Sequence, residues 1–452
     1  PSNAIATVHN NKVGIPNNSP PPNQKIKPSC NTGTDSMPVS CRATPASTLM
    51  VPSVISKLDT CNFSVSRPLI KPTAAPSPSA AAVATNTPYC GNSKAATNAL
   101  TATTAELLKR FPDFRVDLYP THRSVALPQA VLDNTRKNAL SATTLAGGMA
   151  VDKVLPGIPF PIPKSGAEAM WNFLLRYQGV NIATKYDSWN VDSAGVAALS
   201  TTGQAFINYA IYEDMTKPIS AKDTYYQMKL HYTGPARRAG EAIMLRDAAN
   251  PLEQPRKAWQ YLPGQRRVKL APNLAYDTPN PGTAGAGTYD DVFVFNGALD
   301  RYDWKLVGKQ EMIIPYNTYK LTYAQDPKAL TTANHLASDY VRWEKHRVWV
   351  VEGNLKAGAR HIYQKRRFYL DEDSWTAVAS DQYDARGQLY RGSFAFLSQS
   401  YDKQVPDSTP FMIYDLVGGS YNINGVVGPY GGIKYIDPLS KAQWSAESLA
   451  GA

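Results

Sequence analysis

The alternation of apolar and polar residues is clearest between residues 256 and 311. In this stretch, short runs with a period of two are separated by Pro263-Gly264 and by Asn296-Gly297, which is typical of antiparallel strands joined by tight turns. Similar runs continue from residue 180 onward. So many consecutive strands must twist and curl. The pattern therefore predicts a mainly β (α+β) fold built on one large curved antiparallel sheet.

Strand boundaries can be predicted from the same pattern. The turn at Leu262–Gln265 should be of type II, with Gly264 supplying the positive φ. The turn at Asp384–Gly387 should be of type I and closed by a glycine bulge. The predicted strands are 180–190, 204–213, 224–233, 241–246, 257–262, 266–270, 291–295, 303–313, 318–323, 346–352, 359–370, 375–383 and 388–397.

Three amphipathic helices are predicted to cover this sheet. The first begins near Thr103 and stops at Pro112, and the second runs from Pro128 to about Leu140. The third is the clearest, with Ser165 as the N-cap, Glu168 completing a capping box and Gly179 at the C-terminal end. An apolar stripe with helical spacing marks the face that should pack on the sheet or lid a cavity. Its members are Ala167, Met170, Trp171, Leu174 and Leu175.

The first 98 residues differ in composition from the rest of the chain. Residues 1–100 hold 14 of the 35 prolines and all four cysteines, and their only aromatic residues are Phe63 and Tyr89. Such a segment cannot bury enough apolar area to offset its ordering entropy. We therefore predict that residues 1–98 are disordered, or foreign to the rest of the protein, and that residues 99–452 form one β-rich domain.

Charge, cysteine usage and hydropathy exclude several classes of protein. The net charge is +11, of which residues 1–100 supply +6, because they carry eight basic and two acidic residues. The remaining surface is mixed, which argues against nucleic-acid binding. Cys30, Cys41, Cys61 and Cys90 fit no zinc or redox spacing. No apolar run approaches the length of a transmembrane helix, and no signal peptide is visible.

Catalytic motifs are missing from the sequence. Gly418-Gly419-Ser420-Tyr421-Asn422 only approaches a nucleophile elbow, and no zinc-protease motif or cysteine–histidine set occurs. His346 and His361 could face each other on adjacent strands as a metal pair, although exposed sheet histidines explain them better. The acidic run Asp371–Asp373 fits a solvated turn better than a calcium or general-acid site. We therefore predict a protein that is not an enzyme and that uses no cofactor and no metal.

Several short sequence words resemble one family. They include Phe111-Pro112-Asp113-Phe114-Arg115, Tyr119-Pro120-Thr121-His122-Arg123, Gly157–Pro163, Arg347–Glu352 and Asp371–Trp375. From about Leu107 to the C-terminus, the chain resembles the proteobacterial family of unknown function labelled "outer membrane lipoprotein-sorting protein"-like, related to LolA, LolB and RseB/MucB. The resemblance implies a half-open LolA/LolB-like barrel with a helical lid, and a periplasmic location. Residues 1–98 do not match the lead-in of that family.

Aromatic side chains are the remaining functional signal. An open sheet can bury its concave face only under a lid or with a hydrophobic ligand, and the resemblance to acyl-chain carriers favours a ligand for some aromatics. The predicted cavity residues are Trp171, Trp259, Tyr261, Phe293, Phe295, Trp304, Trp349 and Phe368. Arginines that alternate with apolar residues could form a rim for an anionic head group or a partner, or could simply protect edge strands from aggregation. These arginines are Arg266, Arg267, Arg366 and Arg367.

Three functional hypotheses follow. The first is a periplasmic carrier or adaptor that binds a lipid-like ligand and works with a membrane transport protein. Each buried methylene group would contribute about 0.8 kcal/mol to such binding. The second is a hydrolase acting on a lipid, a polyester or a glycan. The third is a sensor or scaffold domain that recognises lipoprotein or polypeptide. The resemblance to acyl-chain carriers favours the first hypothesis.

Overall fold

A computed structural model describes residues 63–64 and 98–450 of the chain. The segment predicted to be disordered, residues 1–98, lies outside the described residues except for Phe63, Ser64 and Asn98. The four cysteines also lie outside them.

Within the described residues the chain forms four α-helices and twenty strands. The helices are α1 (Ala102–Arg110), α2 (Gln129–Ser141), α3 (Gly166–Leu174) and α4 (Tyr319–Thr322). The strands are β1 (Phe63–Ser64), β2 (Val116–Tyr119), β3 (Thr143–Leu145), β4 (Ala150–Asp152), β5 (Asn181–Val191), β6 (Ala197–Asn208), β7 (Thr224–Gly234), β8 (Ala242–Ala248), β9 (Lys257–Leu262), β10 (Arg267–Leu270), β11 (Tyr302–Pro315), β12 (Trp343–Leu355), β13 (Lys365–Asp371), β14 (Ala377–Tyr383), β15 (Leu389–Ala395), β16 (Ser398–Ser400), β17 (Val405–Asp407), β18 (Phe411–Asp415), β19 (Ser420–Val426) and β20 (Lys434–Tyr435).

One sheet of sixteen strands dominates this part of the chain. Its order is β1-β2-β12-β13-β14-β15-β18-β19-β5-β6-β7-β8-β9-β10, with β11 paired to β12 and β20 paired to β5. Apart from the parallel pairings of β2 with β1 and β12, all neighbours are antiparallel. Among the described strands, β10 pairs only with β9 and β11 only with β12, so the sheet does not close into a barrel. The prediction of a large open antiparallel sheet is confirmed.

The helix predictions agree with the structure in position and differ at the ends. Ser165 caps α3 as predicted, since its hydroxyl accepts a hydrogen bond from the Glu168 amide at 3.2 Å. However, α3 ends at Leu174 and not near Gly179. Arg176 explains the early end, because its Nη1 donates to the carbonyl oxygen of Phe173 at 2.7 Å and satisfies one of the terminal carbonyls.

Two predicted strands are wrong. Residues 318–323 contain the short helix α4 instead of a strand. Residues 291–295 form a bend in which Phe293 (φ 55°) and Val294 (φ 73°) adopt the left-handed conformation. Asp291 caps the turn that begins at Thr288, and this local hydrogen bonding competes with strand pairing. Phe293 and Phe295 therefore do not share the face of a strand.

The turn between β9 and β10 also differs from its prediction. Arg266 (φ 48°) takes the left-handed position there, not Gly264. A short 3₁₀ turn at Pro263–Gln265 precedes it, which moves the positive φ beyond the glycine. By contrast, Gly387 has φ 74° and its amide donates to the carbonyl of Asp384, as predicted for that turn.

The main hydrophobic core lies against the inward face of β5–β8, to which every second side chain of each strand points. Ile182, Ile207, Met228 and Ile243 from four successive strands belong to this core, together with Trp171 of α3. The opposite face of the same strands carries a smaller cluster formed by Ala242 and Met244 with Trp444 and Leu449 from the C-terminal segment. Both faces of this part of the sheet are therefore covered, and the space between sheet and cover lies on the inward face.

Candidate functional site

A cavity lies over the inward face of β5–β8. Its floor consists of alternate residues on successive strands, which include Ile182, Thr184, Ala205, Ile207, Met228, Leu230, Ile243 and Leu245. Because the side-chain period of a strand is two, each strand contributes every second residue to this floor. The cavity is thus built on the most regular part of the sheet, which supplies a rigid apolar base.

Several segments outside β5–β8 complete the walls of the cavity. The loop between β10 and β11 contributes Asn280, Tyr289 and Phe293, and the segment 405–409 contributes Asp407 and Ser408. The stretch after α3 contributes Gln178. The cavity contains about 1090 Å³ that is free of protein atoms, a volume that includes some open solvent. Within this volume, the centre of a water molecule can occupy about 90 Å³. Since an ordered water needs roughly 10–15 Å³ by this measure, the cavity has room for several small groups or for an extended chain.

A smaller recess adjoins this cavity. It shares Gln178, Tyr209, Phe293 and Asn296 with the main cavity, and Arg176 lies in its wall. The centre of a water molecule can occupy about 30 Å³ of the recess. A narrow recess that carries polar side chains therefore lies next to the apolar cavity.

Arg176 is the most unusual residue of this recess. Its side chain is 3% exposed, its Nη1 and Nη2 donate to Phe173 and Gln178, and its guanidinium lies 4.4 Å from the Phe173 ring centroid. Among the described residues no carboxylate forms an ion pair with it, and its Nε has no hydrogen-bond partner. Burial lowers the pKa of Arg176 to about 10, so the group is charged at neutral pH. The charge of Asp407 opposes this lowering of the pKa, although the two side chains form no ion pair. A buried cation is costly unless a negative group neutralises it.

Asp407 lies in the wall of the main cavity. The residue is half-buried. Burial raises the pKa of Asp407 to about 7, against the opposing effect of hydrogen bonds from Thr409 and Ser408 and of the nearby charge of Arg176. The charge inside the cavity therefore changes near neutral pH.

The loop that carries Phe293 is held by a buried network of ions. Arg366 of β13 donates to Asp290 at 2.8 Å and to Asp291 at 2.9 Å, and His361 also contacts Asp290 at 3.0 Å. Tyr363 donates to the second carboxylate oxygen of Asp291 at 2.7 Å. Burial opposes ionisation of Asp290, but Arg366 and His361 bring its pKa well below the ordinary value. This network fixes one wall of the cavity to the sheet.

Among the predicted cavity residues, Phe293 lines both the cavity and the recess, and its ring packs 5.0 Å from that of Phe411. Phe295 lines only the recess and otherwise belongs to a filled aromatic cluster. In this cluster its ring lies 5.7 Å from Trp304 and 5.6 Å from Phe368. Trp304 and Phe368 line none of these spaces, because they fill the interior beneath the loop.

Trp171 and Trp349 take structural positions near α3. Trp171 is 1% exposed, and its Nε1 donates to the carbonyl oxygen of Gly148 at 2.9 Å. It borders a separate recess between α3 and the loop at residues 272–276. Trp349 stacks on Trp375 with ring centroids 5.9 Å apart. The helix does cover the sheet as predicted, but these two indoles do not border the main cavity.

Trp259 and Tyr261 face away from the cavity. Trp259 pairs with Met244 and Tyr261 with Ala242, and both pack in the cluster beneath Trp444 and Leu449. The inward side of β9 is occupied by Ala258, which belongs to the main core. The prediction of an inward face for these two aromatics is wrong, because a shift of one residue along a strand exchanges the two faces.

The four predicted rim arginines do not form one rim. Arg266 and Arg267 are exposed at the edge formed by β10, and Arg367 lies half-buried with its Nη1 3.7 Å from Glu352. Arg366 is fully buried in the ion network, so its rim assignment is wrong. Its neighbours alternate to the other face of β13, which accounts for the contrast between adjacent arginines.

One cluster of described residues has the composition of a metal site. Single ligand atoms of His346, Asp371 and Asp373 lie within 4.8 Å of one another. His346 instead contacts Glu344 at 3.0 Å, and Asp373 accepts two hydrogen bonds from Arg123. The predicted pairing of His346 with His361 is not formed, because His361 contacts Asp290. Arg123 therefore neutralises Asp373, whereas Asp371 is fully buried and, within the described part of the chain, only its Oδ2 accepts hydrogen bonds, which include those from the amide and the hydroxyl of Ser374.

The sequence interpretation missed the polar side chains of the cavity and the recess. Arg176 directly follows the apolar run Phe173-Leu174-Leu175, which places it beside the core at the end of α3. Asp407 and Asn296 carried no comparable sign, because their positions depend on segments that reach the cavity from distant parts of the chain.

Among the described residues no helix is long and apolar enough to cross a membrane.

Comparison with known proteins places the chain among its relatives. A curated protein of Pseudomonas aeruginosa described as uncharacterized is 40% identical over 320 residues, which cover 70% of each chain. A crystallised outer membrane lipoprotein-sorting protein domain from Vibrio parahaemolyticus is 13% identical with a TM-score of 0.43, and covers 63% of this chain and 97% of its own. A DUF1329 family protein from Desulfovibrio piger is 14% identical with a TM-score of 0.41, and covers 60% of this chain and 92% of its own.

The family profile described as "Protein of unknown function (DUF1329)" matches residues 90–450. This match spans the open sheet, the helices that cover it and the cavity between them. The chain belongs to the DUF1329 family.

Proposed function

We propose that this protein binds a lipid-like hydrophobic ligand in the cavity over β5–β8 and acts as a periplasmic carrier or adaptor that passes the ligand to a membrane transport partner. The observation that supports the proposal is the cavity itself, which an open sheet lines with Ile182, Ile207, Met228, Ile243 and Leu245. Ligand sites are typically concave, mostly apolar and equipped with a few placed polar groups. The cavity has this composition.

The physical basis is the burial of alkyl groups. A chain of a dozen methylene groups would gain roughly 0.8 kcal/mol for each group that leaves water. Even after the costs of immobilisation, this supports affinity without any catalytic group. A carrier must also release its ligand. The sheet that the described strands form is not closed into a barrel, and part of the cavity wall is formed by the loop between β10 and β11.

The proposal can be tested with a neutral environment-sensitive probe. Protein stripped of bound lipid by organic solvent or detergent exchange should bind N-phenyl-1-naphthylamine with micromolar affinity, about −8 kcal/mol. Extraction of untreated protein followed by mass spectrometry should identify a co-purifying lipid. Failure of the probe to bind the stripped, folded protein would refute the proposal and would favour a sensor or scaffold role.

Site-directed variants locate the binding. Ala205 lies on the cavity floor, and Ala205→Phe should fill part of the space and weaken probe binding. Ala242 is an equally buried alanine on the opposite face of the same sheet. Ala242→Phe should disturb packing to a similar degree and leave probe affinity unchanged. Equal effects of the two substitutions would place the probe elsewhere.

A further inference from the structure

The polar atoms of the recess are unbalanced in favour of hydrogen-bond donors. Arg176 and Asn296 are 3% and 7% exposed, and both line the recess. Nε of Arg176 and Nδ2 of Asn296 are both buried without a partner. Buried donors in native proteins normally have partners, and an acceptor placed in the recess would pair with these two nitrogens.

The orientation of the Asn296 amide is fixed from outside the recess. Its Oδ1 accepts a hydrogen bond from Nη2 of Arg256, which leaves Nδ2 as the free end of the side chain. Arg256 is in turn paired with Asp247 through two hydrogen bonds of 2.7 and 2.6 Å. The buried ion pair of Arg256 and Asp247 therefore orients the Asn296 amide so that its Oδ1 accepts a hydrogen bond and its Nδ2 has no partner among the described residues.

Arg176 is held with comparable precision. The carbonyl oxygen of Phe173 and Oε1 of Gln178 each accept a hydrogen bond of 2.7 Å from its two terminal nitrogens. These partners are neutral, so they orient the guanidinium without cancelling its charge. An anionic acceptor in the recess would supply hydrogen-bond partners for Nε of Arg176 and Nδ2 of Asn296 and a negative charge in addition to that of Asp407.

The size of the recess limits the anion. The 30 Å³ open to the centre of a water molecule corresponds to roughly two ordered waters at 10–15 Å³ each. A carboxylate, with two oxygens, fits this space, whereas a phosphodiester with its glycerol does not. Tyr209 and Phe293 border both the recess and the apolar cavity, so the two spaces lie side by side. A molecule whose carboxylate occupies the recess can therefore extend its alkyl chain over β5–β8.

We propose that the ligand is a long-chain carboxylate whose head group is bound by Arg176 and Asn296. This inference rests on the proposed function, since the alkyl chain occupies the cavity described there, and it adds the chemical class of the ligand. It also differs from the sequence-based prediction, which placed an anionic head group at Arg266, Arg267, Arg366 and Arg367. The head group lies inside the protein and not at its edge.

Three ligands of equal chain length separate this inference from the proposed function. Dodecanoate, dodecanol and dodecyltrimethylammonium are each titrated at pH 8 against the N-phenyl-1-naphthylamine complex of stripped protein. We expect dodecanoate to bind at least tenfold tighter than dodecanol, and the cation to bind most weakly. Equal affinity of dodecanoate and dodecanol would overturn the carboxylate assignment and leave the hydrophobic carrier intact. Binding of none of the ligands, nor of the probe, would overturn the carrier as well.

Variants test the named residues. Arg176→Gln should reduce dodecanoate affinity to that of dodecanol without changing the affinity for dodecanol, and Arg176→Lys should restore part of the difference. Since Arg176 also caps α3, Asn296→Ala gives a second test that leaves the helix untouched, with an expected severalfold loss for dodecanoate only. Arg246→Gln, on the face beneath Trp444, is the matched control and should change the affinity for neither dodecanoate nor dodecanol. Equal losses for the acid and the alcohol in both recess variants would overturn the assignment.

Discussion

Nη1 of Arg366 donates to Oδ2 of Asp290 at 2.8 Å, and this contact joins the middle of the sheet to the loop that lines the cavity. Both side chains are buried, and the same guanidinium also contacts the carbonyl oxygen of Val294 at 3.3 Å. Val294 has φ 73°, which is unusual for a β-branched residue. The ion pair thus stabilises the strained loop conformation in which Phe293 lines the cavity.

We therefore expect Arg366→Met to lower the free energy of unfolding by roughly 3–5 kcal/mol, because Asp290 and Asp291 would remain buried without their cation. Urea denaturation measures the change. Arg367→Met is the control, since its half-buried contact with Glu352 should contribute less than about 1 kcal/mol. Similar losses in the two variants would show that Arg366 does not anchor the loop.

Trp171 gives a second prediction about stability. Trp171→Ala should cost roughly 3–5 kcal/mol, because it leaves a cavity in the core and removes the hydrogen bond to Gly148. Trp171→Phe should cost less, since most of the ring remains. Thermal or urea unfolding measures both, and a neutral Trp171→Ala would contradict the position of α3 against the sheet.

The N-cap of α3 is expected to contribute less than its buried face. Ser165→Ala removes the hydroxyl that accepts from the Glu168 amide and should cost about 1 kcal/mol. Ser165→Asp should retain most of the stability, because a carboxylate can accept the same hydrogen bond and favours the helix N-terminus. Equal stability of all three proteins in urea denaturation would show that the cap contributes nothing.

The sequence predicted those features that depend on local periodicity. Strand alternation identified β5 to β15, and the capping residues identified α3, whereas β1–β4 and β16–β20 were not predicted. Periodicity cannot assign the inward face when both faces are covered, and Trp259 was therefore assigned to the wrong face. Its true neighbours, Trp444 and Leu449, lie almost two hundred residues away in the chain, so no local signal could identify them.

The irregular parts of the site were predictable only in part. Phe293 was identified as a cavity residue for its apolar ring, although it lies in a loop and not on a strand. Its position depends on Arg366, which is more than seventy residues away and looked like a surface charge in the sequence. Sequence patterns predicted the strands β5–β8, but they did not identify the residues of the apolar floor, and long-range ion pairs determined which polar groups reach the cavity.

Asp407 gives a prediction about pH. Its folded-state pKa of about 7 lies above the ordinary value near 3.9, because burial disfavours the charged form. The folded protein therefore retains this proton between about pH 4 and pH 7, while the unfolded chain releases it, and stability falls as the pH rises through this window. The charged and titratable groups that act on Asp407 are Arg176, Tyr209, Tyr323 and Tyr435. All four keep their charge state in this range, since the pKa of each tyrosine is raised and that of Arg176 is about 10.

Asp407→Asn should consequently gain stability relative to the unmodified protein as the pH rises from 5 to 8. Urea denaturation at several pH values measures this difference. Asp384 is the control, because hydrogen bonds from Gln388 and Arg386 lower its pKa and its titration lies below this range. Asp384→Asn should show a difference that is constant from pH 5 to pH 8. A constant difference for Asp407→Asn as well would contradict the buried carboxyl.

The last prediction separates the two faces of the sheet through their aromatic residues. Phe293→Gln places a polar amide in the wall shared by cavity and recess, and it should weaken binding of N-phenyl-1-naphthylamine severalfold. Trp259→Gln should leave probe affinity unchanged, because this ring lies on the other face. It should instead loosen the C-terminal segment, which hydrogen exchange or limited proteolysis near Trp444 would detect. If Trp259→Gln weakened the probe and Phe293→Gln did not, the ligand would lie beneath the C-terminal segment and not in the cavity over β5–β8.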